Sequence, residues 1–378
     1  MKRKICVVVT ARASYSRIKT LLMAIKEHPS LSLQLVITGS CMLEKYGGLK
    51  TLVQQDGFNP IIKVSNLLEN ENPTAAAKTT GLGIIELASV FENICPDVVV
   101  SIADRYETMS AAIAASFMNI PLAHVQGGEV TGNIDERVRH AVSKLADIHF
   151  VATACARNRL IAMGEVPENV WHTGCPSIDL AIQVKDNGSS QFDYESGQPF
   201  STTRYIVVMQ HPVTTEHGHT RDQFRCLLNA VGSLHIPTFW FTPNPDFGAA
   251  QILSEIQRYG ETGKNLKIHF LRNLHPEAFL KLIKHCACLI GNSSTGIREA
   301  SLLGTPVVNI GSRQHSRERS FNVTDADFDA VSIKEAVQKQ LDHGPYESCT
   351  LYGNGDAGNR IADLLAKMKL CVHKQITY

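Results

Sequence analysis

Short, near-continuous apolar runs alternate with helix-like segments along almost the whole chain, and this alternation restricts the fold more than any other feature. Strand-like runs are predicted at 4–10, 33–38, 97–102, 122–126 and 148–152, and again at 204–210, 238–242, 266–271, 288–291 and 307–310. Between them, apolar residues recur with helical period over 16–27, 75–93, 106–118, 135–145, 221–231 and 276–286. Strands that are apolar throughout are buried on both faces, and helices alternating with them point to parallel sheets covered on each side. At 378 residues the chain exceeds one ordinary core. The pattern breaks once, over 185–203, which is polar, rich in Gly and Ser and without apolar period. The expected fold class is therefore α/β, with two Rossmann-like doubly wound domains facing a cleft, arranged like a glycosyltransferase-B. The expected domains are 1–185 and 200–356, with a final helical segment, 357–378, packing back on the first. In such sheets ligands bind beyond the carboxyl ends of the strands.

Several function classes are disfavoured. The net charge is +1 with no basic stripe, so nucleic acid is not an expected partner. The basic start at Lys2-Arg3-Lys4 leads into an apolar run that stops at Thr10, too short for a secretory core or a membrane span. We expect a cytoplasmic protein with no membrane partner. The ten cysteines form no CxxC pair and no His/Cys cluster with ligand spacing, so no metal is expected and most thiols should be buried.

The most informative stretch is Gly291-Asn292-Ser293-Ser294-Thr295-Gly296-Ile297-Arg298-Glu299, between a strand-like run and a helix-like run. Small residues let a backbone approach a ligand, serines offer hydroxyls, and a helix starting here would aim its free N–H groups at the same spot. A diphosphate needs those groups. Glu299, one or two turns into that helix, suits ribose hydroxyls. Such a junction is also ordinary packing in many α/β proteins; other strand ends strengthen the functional reading. Arg12 and Ser16 follow the first run, Asp104 and Arg105 the third. Gln126, Glu129, Asp135, Glu136, Arg139 and His140 follow the fourth. His211 follows 206–210, and Asn244 and Asp246 follow 239–242. Arg139 lies at i+4 from Asp135, which by itself reads as a capped helix with an ion pair. The glycines Gly127 and Gly128 ahead of it tilt that reading toward a site. Arg313 and Arg317 lie past 307–310 as a solvated loop or, for Arg313 first, a phosphate contact.

Taken together, Arg12-Ala13-Ser14-Tyr15-Ser16, Asp104-Arg105, Gly127-Gly128-Glu129 through Arg139-His140-Ala141, Gly174-Cys175-Pro176-Ser177, the run from Gln210 to Thr215, the run from Gly291 to Glu299, and Gly311-Ser312-Arg313-Gln314 resemble the hydrolysing UDP-N-acetylglucosamine 2-epimerases of sialic-acid pathways. The resemblance covers essentially the whole chain. It implies UDP held mainly by the later domain, with Ser293, Ser294 and Arg313 on phosphates and Glu299 on ribose. Asn244 and Asp246 would lie beside the nucleotide, and the loop 271–279, with Leu274 and Phe279, would border the uracil. Arg12, Ser16 and Arg105 would close over the diphosphate, while Asp104, Asp135, Arg139 and His211 surround the sugar. Gln126 and Glu129 complete the candidate catalytic set.

The implied reaction is loss of the C2 proton with departure of UDP, through a 2-acetamidoglucal-like intermediate, then hydration to N-acetylmannosamine. No cofactor is called for. The expected partners are a UDP-sugar and further copies of the chain, as homodimer or homotetramer. Three positions depart from the family pattern: Gln126 where many relatives have glutamate, Ser14 where an acidic residue is usual, and Ala103 where glycine is usual. An amide is no general base, so proton transfer would fall to Asp104, Asp135, Glu129 or His211. These changes raise the alternative of a 2,4-diacetamido-trideoxy sugar. A non-hydrolysing epimerase, a glycosyltransferase on the same fold and a non-catalytic UDP-sugar binder are the other readings.

Overall fold

The computed structural model describes residues 1–43, 49–59, 61–68, 72–186, 204–243, 246–261 and 267–377. Most of the polar break expected at 185–203 lies outside the described residues, as does Asn244. The chain divides into two compact units. The first comprises Met1–Val130, Ile134–Leu180 and Tyr352–Tyr378; the second comprises Thr131–Asn133 and Ala181–Leu351. The division falls inside the helix Pro176–Asp186, ahead of the polar break, and the chain rejoins the first unit at Tyr352.

In the first unit the strands are β1 (Arg3–Val9), β2 (Leu31–Ile37), β3 (Ile61–Lys63), β4 (Val98–Ile102), β5 (Leu122–Val125), β6 (Ile148–Val151) and β7 (Val170–His172). They form one parallel sheet in the order β3-β2-β1-β4-β5-β6-β7. The second unit has β8 (Ile206–Met209), β9 (Thr238–Phe241), β10 (Ile268–Leu271), β11 (Cys288–Gly291), β12 (Val307–Ile310) and β13 (Val323–Ala326). Their order is β10-β9-β8-β11-β12-β13, again parallel. Each unit thus repeats the doubly wound order in which the winding reverses beside the first strand. The reversal points are β1/β4 and β8/β11.

Alternate residues of one strand feed opposite cores. Ile5, Val7 and Val9 belong to the core that includes the helix Arg12–Glu27, while Cys6 and Val8 join Leu87 and Phe91 on the other face. In the second unit Ile206 and Val208 pack with Phe224 and Trp240, and Val207 with Phe239 and Leu289. Each such large side chain contributes about 1.5–3 kcal/mol by burial. The late helix Ala357–Lys367 places Ile361, Ala362 and Leu365 in the first of these cores, against the helix Arg12–Glu27. Asp179 fixes its start, accepting from the N–H groups of Ala357 at 3.0 Å and Gly358 at 2.7 Å and from the Thr20 hydroxyl at 3.1 Å. Strands β3, β7 and β13, and the helices Leu49–Gln55, Ala154–Ala162, Pro176–Asp186, Ala249–Glu261 and Ala330–His343, add to the elements predicted from the sequence.

The cysteines are all free. Cys6, Cys41, Cys175, Cys286 and Cys288 are buried, whereas Cys95, Cys155 and Cys371 are exposed, so burial is less general than expected. Among the described residues no helix is long and apolar enough to cross a membrane, and no group of His, Cys, Asp and Glu could hold a metal ion.

Candidate functional site

At the β1/β4 reversal of the first unit, charged side chains collect just past the strand ends. The helix after β1 starts at Arg12, so Arg12 and Ser16 lie in its first turns rather than in a loop, and the Ser16 hydroxyl donates to the Arg12 carbonyl at 3.4 Å. Tyr15 of the same motif is core: its ring is fully buried and its hydroxyl donates to Asp56. After β4, Ala103 adopts a left-handed φ of 63°, which turns Asp104 out of the strand line. Asp104 Oδ2 accepts from Nη2 of Arg139, and Oδ1 lies 3.9 Å from Arg17 Nη1. Arg139 is completely buried, and its Nη1 donates to the Glu129 carbonyl at 2.7 Å. Asp104 from one predicted segment, and Arg139 with the Glu129 backbone carbonyl from another, therefore form one connected group.

Arg105 turns to Glu107, with Nε to Oε2 at 3.1 Å and Nη2 to Oε1 at 3.2 Å. Burial pushes the neighbouring Cys41 thiol well up, reinforced by the Glu107 charge and opposed by Arg105 and Arg12. Burial also lowers Arg12 from the usual guanidinium value. Gly39 permits this close packing, because a Cβ there would meet the Thr10 carbonyl oxygen at 2.8 Å and Glu107 Cγ at 3.3 Å.

Asp135 is the second residue of the helix Ile134–Leu145 and half-buried. On this helix Glu136 Oε1 lies 3.5 Å from His140 Nε2 as an i,i+4 pair, and Arg139 makes tertiary bonds. Gln126, past β5, is also left-handed, at φ 67°. Its Nε2 donates to Cys175 Sγ at 2.9 Å, and its buried Oε1 has no hydrogen-bond partner among the described residues. Behind it, His124 donates Nε2–H to the Ala103 carbonyl at 2.8 Å, so Nδ1 accepts from the Ser143 hydroxyl at 3.0 Å. Burial pushes the His124 imidazole down to about 3, leaving it neutral.

At the β8/β11 reversal of the second unit, the Gly291–Glu299 stretch follows its strand as predicted, but the expected continuous helix is absent. A single turn, Ser294–Ile297, is followed by a break at Arg298 (φ −97°, ψ −75°) and a second short helix, Glu299–Leu303. Glu299 begins that second piece instead of riding a turn inside the first. One turn gathers little macrodipole, so anion binding here depends on local N–H and hydroxyl groups. Ser293 caps the turn, accepting from the Thr295 N–H at 3.3 Å; Ser294 is buried. The Glu299 carboxylate is buried, and its Oε2 has no hydrogen-bond partner among the described residues.

His211 is buried just past β8, and Arg313, half-buried past β12, donates Nη1–H to the Asn292 carbonyl at 3.2 Å. Arg317 is buried and donates to Gln314 Oε1 at 2.7 Å, so the loop is not a solvated basic one. Asp246 is half-buried just ahead of the helix Ala249–Glu261. Leu274 and Phe279 pack on the second unit's core, Phe279 from within the helix Pro276–His285 and edge-on to Phe241 with ring centroids 5.4 Å apart. The sequence reading missed Asn292, which is fully buried at the centre of this group.

The fold class is that of two doubly wound α/β units, each with charged and hydrogen-bonding groups gathered where its winding reverses. The profile of the UDP-N-acetylglucosamine 2-epimerases matches residues 23–366. The chain is 34% identical over 377 residues to the UDP-N,N'-diacetylbacillosamine 2-epimerase (hydrolyzing) of Legionella pneumophila, covering 100% of this chain and 98% of that protein. It is 32% identical over 360 residues to the UDP-N-acetylglucosamine 2-epimerase of Neisseria meningitidis, covering 94% and 92%. Among solved structures, S. aureus MnaA with UDP matches with a TM-score of 0.80 at 19% identity, over 100% of each chain. The chain belongs to the UDP-N-acetylglucosamine 2-epimerase family.

Proposed function

We propose that this protein is a hydrolysing 2-epimerase that converts UDP-N-acetylglucosamine and water to N-acetylmannosamine and UDP. The observation that carries the reading is the Asp104–Arg139–Glu129 group, a carboxylate held in place by a buried guanidinium at a strand end where ligands of this fold class bind. In the proposed reaction a base takes the C2 proton, the C1–O bond breaks with its electron pair leaving on the diphosphate, and C1=C2 forms. Water then adds its hydroxyl to C1, and a proton returns to C2 from the opposite face. Departure of the diphosphate needs donors aimed at its growing charge, each worth ~3 kcal/mol. Ser293, Ser294 and Arg313 are assigned that task, with Arg12, Ser16 and Arg105 from the first unit, and Glu299 is assigned the ribose. Asp246 and Leu274 are assigned contacts with the nucleotide. Asp104, Glu129, Asp135 and His211 are the proton-transfer candidates. Gln126 is assigned a contact with the sugar, since an amide takes up no proton at neutral pH.

The test is NMR of the sugar released from UDP-N-acetylglucosamine in deuterated water. Free N-acetylmannosamine with deuterium at C2 supports the proposal. UDP-N-acetylmannosamine in equilibrium with substrate would indicate epimerisation without hydrolysis, and UDP binding without any turnover would defeat the proposal for this sugar. A second reading, the same reaction on a UDP-linked 2,4-diacetamido sugar, is favoured by the Legionella relative, at 34% identity over 377 residues. Comparing kcat/KM for the two sugars decides between them.

A further inference from the structure

At the second reversal point the strand ladder stops abruptly. β11 ends at Gly291, paired with Met209 of β8. Gly291 has φ +128°, and a Cβ there would lie 2.2 Å from the Met209 carbonyl oxygen, so only glycine lets the chain turn away at this point. Asn292 comes next. Its backbone N–H still donates to the Met209 carbonyl at 3.0 Å. Its side chain then continues the ladder that the backbone has left. Nδ2–H donates to the His211 carbonyl at 2.8 Å, and Oδ1 accepts from the His211 N–H at 2.8 Å. A carboxamide can do this because it carries a donor and an acceptor side by side, as a peptide unit does. The Asn292 carbonyl meanwhile accepts from Arg313 at 3.2 Å and from Gln314 Nε2 at 2.9 Å. One fully buried residue therefore ties together the turns that follow β8, β11 and β12.

We propose that Asn292 is a positioning residue for the reaction: it fixes the backbone, and so the imidazole, of His211, while its carbonyl steadies Arg313. The inference rests on the reading above, in which His211 and Arg313 engage the UDP-sugar. Side-chain chemistry makes it specific. Aspartate would set an acceptor, with charge, against the His211 carbonyl, and serine is too short to span both groups. The carbonyl that receives Arg313 belongs to the backbone and survives either change.

The experiment compares N292S, H211A and the double variant, following UDP release from UDP-N-acetylglucosamine, UDP affinity by calorimetry and thermal melting. N292S is expected to lower kcat/KM by up to about 100-fold, with UDP affinity changed less than about threefold. Adding N292S to H211A should cost no further activity, because Asn292 acts through the imidazole that H211A has already removed. Wild-type kcat/KM in N292S, or losses that multiply in the double variant, would overturn the inference while leaving the functional reading intact. Full turnover by H211A would overturn the reading of His211, and the inference with it. If N292S does not fold, N292D serves: it keeps the size and the bond accepted from the His211 N–H, and wild-type turnover by it would be equally fatal.

Discussion

Ala103 and Gln126 hold left-handed backbone at the ends of neighbouring strands, a conformation that costs an L-residue roughly 1–2 kcal/mol. His124 keeps the turn in place through the Ala103 carbonyl. Replacing Ala103 with glycine should raise the unfolding free energy by ~0.5–1 kcal/mol, the steric relief less glycine's larger chain entropy; a lower urea midpoint would contradict this. Asp104→Asn should abolish turnover yet leave UDP affinity within about threefold, measured by the same NMR assay and by calorimetry, since the carboxylate is assigned to the sugar. Normal turnover would remove Asp104 from that place. At this scale the sequence could single out Asp104 and Arg139 by residue type and by the segments they follow, and the fold joins the two by a hydrogen bond. It was not legible for Asn292, whose chemistry depends on a partner 81 positions away. Nor was it for Tyr15, a motif residue that serves the core.

Among the elements, continuously apolar, fully buried strands and strongly periodic helices could be read directly, and the four-residue β11 and β12 match their predicted spans. The missed strands β3, β7 and β13 have three or four residues each, sit toward sheet edges and carry polar or exposed positions. A run that is both short and partly polar carries no continuous apolar signal. The break at Arg298 was equally hidden, because the good helix formers Glu299, Ala300, Leu302 and Leu303 beyond it suggested one helix running through from the turn. The cap on the late helix Ala357–Lys367 was also out of sight, since Asp179 is remote in sequence. Asp179→Ala removes the acceptor for two helix N–H groups and should cost about 1–3 kcal/mol. Urea unfolding checks it; an unchanged midpoint would show the cap to be dispensable.

For the molecule as a whole, two sheets of this kind were foreseeable, but a unit boundary within a helix was not. Two buried histidines of the first unit make stability depend on pH. His124 is held near 3 and His149 is likewise lowered, chiefly by burial, so the unfolded chain takes up protons that the fold refuses. Their contribution is complete above pH 6.5 and declines below it. For His124 alone the loss is about 2 kcal/mol by pH 5, at 1.36 kcal/mol per pH unit. Glu165 is lowered to about 2 by its bonds to His149, Lys144 and Lys374, which outweigh its desolvation, so its contribution fades only between pH 4.5 and 2. Urea midpoints at pH 7.5, 5.5 and 4.5 should fall progressively; equal midpoints at pH 7.5 and 5.5 would refute the assignment to histidine.

The core that receives Ile361, Ala362 and Leu365 is the one begun by β1 and the helix after it. On the ribosome, β1 and the helix Arg12–Glu27 must therefore wait for Ile361, Ala362 and Leu365, made much later, before their shared interior can close. The second unit, finished by Leu351, can mature in the interval. Nascent chains stalled short of Tyr352 should consequently yield a protease-resistant fragment from the middle of the sequence while the beginning is digested. β1 and the helix that follows it are the elements of the first unit that go longest without their packing partner during synthesis.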